Sequence, residues 1–99
     1  MSTTVYNYEF EAKVFQDLAC ILGDGATCDQ LGSYGQSEEF IELYSDFLID
    51  VASNGGLTDV IIDTFNNLCS EWTGYSGTYD SSFYPEILTE FFLNDNDNN

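Results

Sequence analysis

Residues 37–50 read "SEEFIELYSDFLID". Phe40, Tyr44, Phe47 and Leu48, with Val51 just beyond, recur at steps of three and four, the spacing of one apolar helix face. Ser37 opens the helix, Glu38 and Glu39 fall in its first turn, and "SNGG" at 53–56 stops it. On the opposite side Glu38, Glu42, Asp46 and Asp50 follow one another at i, i+4. With Glu39 they fill an arc of about 120° at 100° per residue. No lysine or arginine lies within the stretch, although like charges at this spacing repel.

Three further segments carry the same period. About Asn7 to Leu22 has Phe10, Val14, Phe15, Leu18, Ile21 and Leu22 on a broad apolar face, with Gly23 as a stop. A third helix starts at Thr58 as N-cap and places Ile61, Ile62, Phe65, Leu68, Cys69 and Trp72 on one side. A fourth follows Pro85, suited to a first helical position, and offers Leu88, Phe91 and Phe92. Between them lie "GDGATCDQLGSYGQ" at 23–36, with one short helical turn expected around Cys28–Leu31, and "TGYSGTYDSSFY" at 73–84, which allows a short extended piece. The expected fold is all-α, a small bundle of about four helices with two Gly/Tyr/Ser-rich loops. One acidic helical domain covers residues 1–93, and 94–99 is expected as a disordered acidic, asparagine-rich tail.

Composition sets this chain apart. In 99 residues, 18 Asp and Glu face one basic residue, Lys13, for a formal net charge of −17. A small domain is soluble at a net charge of about 2–8 in magnitude, so solubility does not explain the excess. Hydrophobic residues at 43% and aromatics at 16% provide enough apolar surface for a core despite the self-repulsion. Three cysteines form no metal-ligand spacing, and Cys20 and Cys69 read as small core residues on helix flanks. "MSTTVYNYEF" shows no signal-peptide pattern and no apolar run reaches membrane length, so the expectation is a reduced, cytoplasmic protein. Its charge repels nucleic acid and anionic lipid, which excludes both as direct partners.

The acids form ridges beyond the opening stretch. Asp59, Asp63, Asn67 and Glu71 repeat the i+4 layout on the third helix, as do Glu86, Glu90 and Asn94 on the fourth. The first has Glu9, Lys13 and Asp17, where the one cation interrupts the stripe, while Glu11 projects toward its apolar side. Amphipathic helices ordinarily have a solvated face, which explains where the acids are but not why cations are missing. Five unrelieved like-charge i, i+4 pairs cost about 1–2.5 kcal/mol together, noticeable in a domain. Acids in first turns recover some of this through the helix dipole; Asp50 and Glu71 recover nothing.

A domain of this length should be about 32 Å across. Duplex DNA of that length carries about 19 phosphate charges. A compact body of net charge −17 therefore matches a short piece of DNA in both length and charge. The candidate partner-binding residues are Glu38, Glu39, Glu42, Asp46, Asp50, Asp59, Asp63, Glu71, Glu86 and Glu90, with Tyr34, Tyr75 and Tyr79 as auxiliary aromatic contacts. Ile49 and Val60 project among the acids and suit a contact surface. The chain has no histidine, no calcium-loop pattern in "DGATCDQLGSYGQSEE" and no phosphate-binding loop. It does not read as an enzyme and calls for no cofactor or metal.

With these features the chain resembles bacteriophage DNA mimics, both the antirestriction proteins of the overcome-classical-restriction type and acidic anti-CRISPR proteins. The likeness lies in small size, scarce basic residues, and helices such as "YNYEFEAKVFQDL" and "SEEFIELYSDFLIDVASNGG" that interleave acids with aromatics. It covers the whole chain without an alignable motif. It implies an inhibitor in host cytoplasm that fills the DNA site of a restriction enzyme or CRISPR surveillance complex, often as a homodimer. An alternative resemblance is to bacteriocin immunity proteins, which neutralise basic nuclease toxins; "SEEFIELYSDFLID" and "SSFYPEIL" are similar to their acidic second helix and later Tyr-Tyr-Pro segment. An acidic adaptor or salt-adapted protein is a third reading, and the aromatic content speaks against halophile composition.

Overall fold

The computed structural model describes residues 5–23, 28 and 30–97. Helices α1 (Val5–Gly23), α2 (Glu38–Asn54), α3 (Asp59–Glu71) and α4 (Glu86–Asp97) make an all-α bundle, with no strand among the described residues. Local chemistry sets the boundaries of the middle two. The Ser37 hydroxyl accepts from Phe40 N and that of Thr58 from Ile61 N, and Gly55 closes α2 in the left-handed region at φ 74°. A turn over 55–58 folds α3 back onto α2, and α1 packs against α2 and α4.

Phe10 sits at the centre, its ring 5.2 Å from those of Phe65 and Trp72 and 6.1 Å from that of Tyr44. Phe47, Leu48, Val51, Leu68, Leu88 and Phe92 complete a core drawn from all four helices. The Tyr6 hydroxyl reaches the end of α3, where it donates to the Cys69 carbonyl (2.6 Å) and also lies on that of Trp72. Burial pushes its phenol up to about 12, with help from neighbouring Cys69 and Tyr79, so it stays a neutral donor.

Two carboxylates are built into this core. Asp17, which the sequence placed on an outer stripe, is 2% exposed. Its carboxylate accepts from Leu31 N (2.7 Å), Gly32 N (2.9 Å) and the Tyr44 hydroxyl (2.6 Å). It thereby fixes a 3₁₀ turn, Leu31–Ser33, between α1 and α2. Gly32 is required there, because a Cβ would overlap the Tyr44 phenol. The expected turn around Cys28–Leu31 thus lies a few residues later, and part of that span is outside the described residues.

Glu11 is the second, fully buried, with Oε2 accepting from Leu88 N at 3.2 Å. Pro85 supplies the carbonyl for the first turn of α4, accepting from Thr89 N, so it stands just before the helix rather than at its first position. A proline side chain cannot cap, and Glu11 from α1 fills that role across the core. Glu11 Oε1 has no partner among the described residues. Burial, the largest cause, raises its carboxyl above 4.5, against the lowering pull of Leu88 N–H and Ile87 N–H, while the Glu86 charge raises it further. The folded state therefore binds this proton more tightly than the unfolded chain. Stability from this group is full below the ordinary carboxylate pKa and is lost as pH rises through the raised one. Thermal midpoints are expected to climb as pH falls from neutral toward about 5. Glu11→Gln should flatten that climb; an identical slope in the variant would remove Glu11 as its source.

Cys20 is bonded to Cys28 rather than lying as a free core thiol, which corrects the fully reduced reading. Only Cys69 is a buried free thiol among the described residues, pushed up to about 12 by burial and then by Glu11. The bridge spans a sequence separation of 8 and ties the end of α1 to the approach to the 3₁₀ turn. Loop-closure entropy values such a ring at about 2–3 kcal/mol. Reductant, or the paired Cys20→Ser and Cys28→Ser change, should lower the thermal midpoint by that equivalent; no shift would mean the unfolded chain is unconstrained by the bridge.

The loop at 73–84 is bends and a turn with no extended pair. Asn7 holds it: its side chain donates to Asp80 O (3.0 Å) and accepts from Asp80 N (2.9 Å). Helix α4 continues through Asp97, into the segment read as a tail; Asn98 and Asn99 lie outside the described residues.

Candidate protein-interaction surface

Amphipathic packing turns the acids outward. Glu38, Glu39, Glu42, Asp46 and Asp50 on α2 are all exposed, as are Asp59, Asp63 and Glu71 on α3 and Glu86 and Glu90 on α4. In each ridge an i+4 step advances about 6 Å along the helix. Helices α2 and α3 are neighbours, and Glu71 of the α3 ridge lines a groove with Leu43 of α2. First-turn acids (Glu38, Glu39, Asp59, Glu86) meet the positive helix ends, and no basic residue occupies the last turn of any of the four helices.

Apolar side chains stand among these charges. Val60 is 73% exposed and Ile49 60%, with Leu43 at 53%. Leu43 faces Leu68 across a groove of about 270 Å³ between α2 and α3, whose rim includes Thr64, Asn67 and Glu71. A charged field carries little shape information; an apolar groove set within it adds discrimination between partners.

Of the three auxiliary tyrosines, Tyr34 is 84% exposed and Tyr75 40%. Tyr79 is half-buried against Tyr6, ring centroids 6.4 Å apart. Burial, then Cys69 and the adjacent Asp80 charge, raise the Tyr79 phenol above its ordinary value. Tyr75 and Tyr79 meet Tyr6 and Trp72 at a second cavity of about 390 Å³, while Tyr34 stands apart from it. Sequence reasoning missed this grouping, because Tyr6 lies at the far end of the chain from the loop it touches.

Among the described residues no group of three or more His, Cys, Asp or Glu side chains is arranged to hold a metal ion, and no helix is long and apolar enough to cross a membrane. The molecule measures 38 × 30 × 20 Å with a radius of gyration of 13.0 Å. No protein family, no curated protein and no solved structure matches the chain.

Proposed function

We propose that this protein is a DNA mimic, an inhibitor that occupies the basic nucleic-acid-binding surface of a nuclease-type defence assembly such as a CRISPR surveillance complex or a restriction enzyme. The observation that carries the reading is the joint exposure of all ten ridge carboxylates in a chain with one cationic side chain. Over its 38 Å long axis, duplex DNA would present about 22 phosphates, against a net charge of −17 here. Opposite charge speeds the encounter, and displacement of counterions from both surfaces adds affinity. The groove between Leu43 and Leu68 gives such a surface a means of choosing its partner that phosphate-like charge alone lacks.

Action in the cytoplasm exposes the Cys20–Cys28 bridge to reducing conditions. The reading therefore requires the dithiol form to remain folded and competent, which the modest worth of so short a ring permits.

Competition tests the proposal. A basic nuclease complex should bind this protein or DNA, never both. Its affinity for the protein should fall by orders of magnitude between about 50 and 200 mM salt, as it does for a ligand making several phosphate-like contacts. A ternary complex with DNA seated in its groove would remove mimicry and leave exosite inhibition of the immunity-protein kind.

A further inference from the structure

Helix α1 carries a second apolar face, outside the core. Val5, Tyr8, Ala12, Phe15, Ala19 and Leu22 follow one another in alternating steps of three and four, the spacing of a coiled-coil seam. The core uses other positions of the same helix, Tyr6, Phe10, Val14 and Leu18. On the outer face Val5, Tyr8 and Leu22 are 46–50% exposed, and Ala12 and Ala19 are exposed as well. Phe15 is half-buried against Phe91 of α4, ring centroids 5.2 Å apart. Ile87, one turn before Phe91 and also half exposed, continues the face onto α4. Ala19, Leu22, Gly23 and Phe91 line a hollow of about 480 Å³ at one end of it.

No carboxylate occupies any of these positions, in a chain of net charge −17. The exposed acid at the edge of the face on α1 is Glu9, and Lys13, the one basic residue, follows it by a single turn and offsets its charge. On α4, Glu90 lies about 60° round the helix from Ile87. Helices α2, α3 and α4 all present carboxylate ridges to solvent. A contiguous exposed apolar face of this kind marks a place where another surface docks.

Charge selects which surface that is. A basic protein is drawn to the ridges, whereas a second copy of this chain is repelled by them and can approach on the uncharged face. Side-chain size fits the same occupant. Laid antiparallel on itself about a two-fold axis between Lys13 and Val14, α1 sets Tyr8 opposite Ala19, Phe15 opposite Ala12 and Leu22 opposite Val5. Each larger side chain then meets a smaller one. Tyr8, packed edge-on against Phe83 with ring centroids 5.1 Å apart, falls at the hollow beside Ala19 of the second copy.

We infer that the outer face of α1, flanked by Ile87 and Phe91, is the interface of a symmetric homodimer of this chain. The contact engages none of the ten ridge carboxylates and stands independently of the mimic reading.

Light scattering and sedimentation equilibrium on the intact protein test it. The mass should double with rising concentration. Raising salt from about 50 to 500 mM should tighten the dimer, because it screens the repulsion between two acidic copies. That is the opposite of the salt response expected for a basic partner on the ridges. The paired Ala12→Gln and Ala19→Gln change puts a good helix former at two exposed positions and fills the space facing Phe15 and Tyr8. It should weaken self-association by about ten-fold or more, with far-UV circular dichroism confirming the helices. The salt and concentration response of the wild type stands without any variant. A chain that stays monomeric throughout, a dimer that salt weakens, or one that the paired change leaves untouched would overturn this interface. None of these results bears on competition with DNA, which tests the mimic reading by itself.

Discussion

Replacing Asp17 by alanine is expected to destabilise the protein by about 3–5 kcal/mol, enough to unfold a marginal domain near its working temperature. The change deletes one acceptor group that serves three donors at once, in Leu31, Gly32 and Tyr44. The Gly32 N–H and the Tyr44 hydroxyl are buried, so each loses its partner without gaining water, at about 1–3 kcal/mol apiece. The Leu31 N–H lies nearer solvent and adds less. Tyr44→Phe should cost much less, about 1 kcal/mol, because it removes one donor and leaves the carboxylate two others. In a double-mutant cycle the two changes should be strongly non-additive. Urea unfolding of the four proteins measures this. A loss below about 1 kcal/mol for Asp17→Ala would show that the 3₁₀ turn holds without its carboxylate.

The buried acids also show where sequence reasoning reaches its limit. Helices α2 and α3 were legible because Phe40, Tyr44, Phe47 and Phe65 keep the helical period, and Ser37 and Thr58 mark their starts. The ridges were legible for the same reason, as the complement of the apolar faces. Asp17 was misread because charge suggested solvent, yet it stands i+7 from Phe10 and i+3 from Val14, inside the buried arc of α1. The i+4 step from Glu9 and Lys13 argued for the outer stripe as well, although the position lies within the apolar arc of α1. Its partners lie 14, 15 and 27 residues away, so no local pattern announces that the carboxylate is satisfied.

Glu11 gave a fainter signal, an acid projecting toward the apolar side of its helix. Its partner is an N–H of a helix 77 residues further on, whose preceding proline cannot cap it. The Cys20–Cys28 bridge was invisible for a different reason: three cysteines permit three pairings, and only the fold brings one pair within bonding distance. The grouping of Tyr6 with Trp72, Tyr75 and Tyr79 combines a loop visible in sequence with a residue that nothing local connects to it. In each case the missing information is a long-range contact, whereas the surface needed only the period of the helix.

Reversing Glu42, Asp46 and Asp50 to lysine together should abolish binding to the basic partner while leaving the fold intact or slightly firmer. All three are exposed, so no buried contact is lost. A lysine at position 42 would sit one turn from Glu38 and relieve a repulsive pair, and a lysine at position 50 would meet the negative end of α2. The remaining repulsions are exchanged for lysine pairs of similar cost, so the net change in stability is about 0.5 kcal/mol in favour of the variant. At the interface the sign is opposite. Three attractive contacts become like-charge contacts costing several kcal/mol, an affinity loss of about 10³-fold or more. Salt separates the two cases further: it should weaken the wild type and partly rescue the variant, because it screens attraction in one and repulsion in the other. Thermal unfolding and competition binding on the same samples give both readings. If the triple variant still competes with DNA within a few-fold of wild type, the α2 ridge is not the contact, and the parallel reversal of Glu86 and Glu90 then tests α4. A variant that gains stability and loses its partner would explain why the four carboxylates of "SEEFIELYSDFLID" are left without a cation: the helix is better off with lysine, and binding is not.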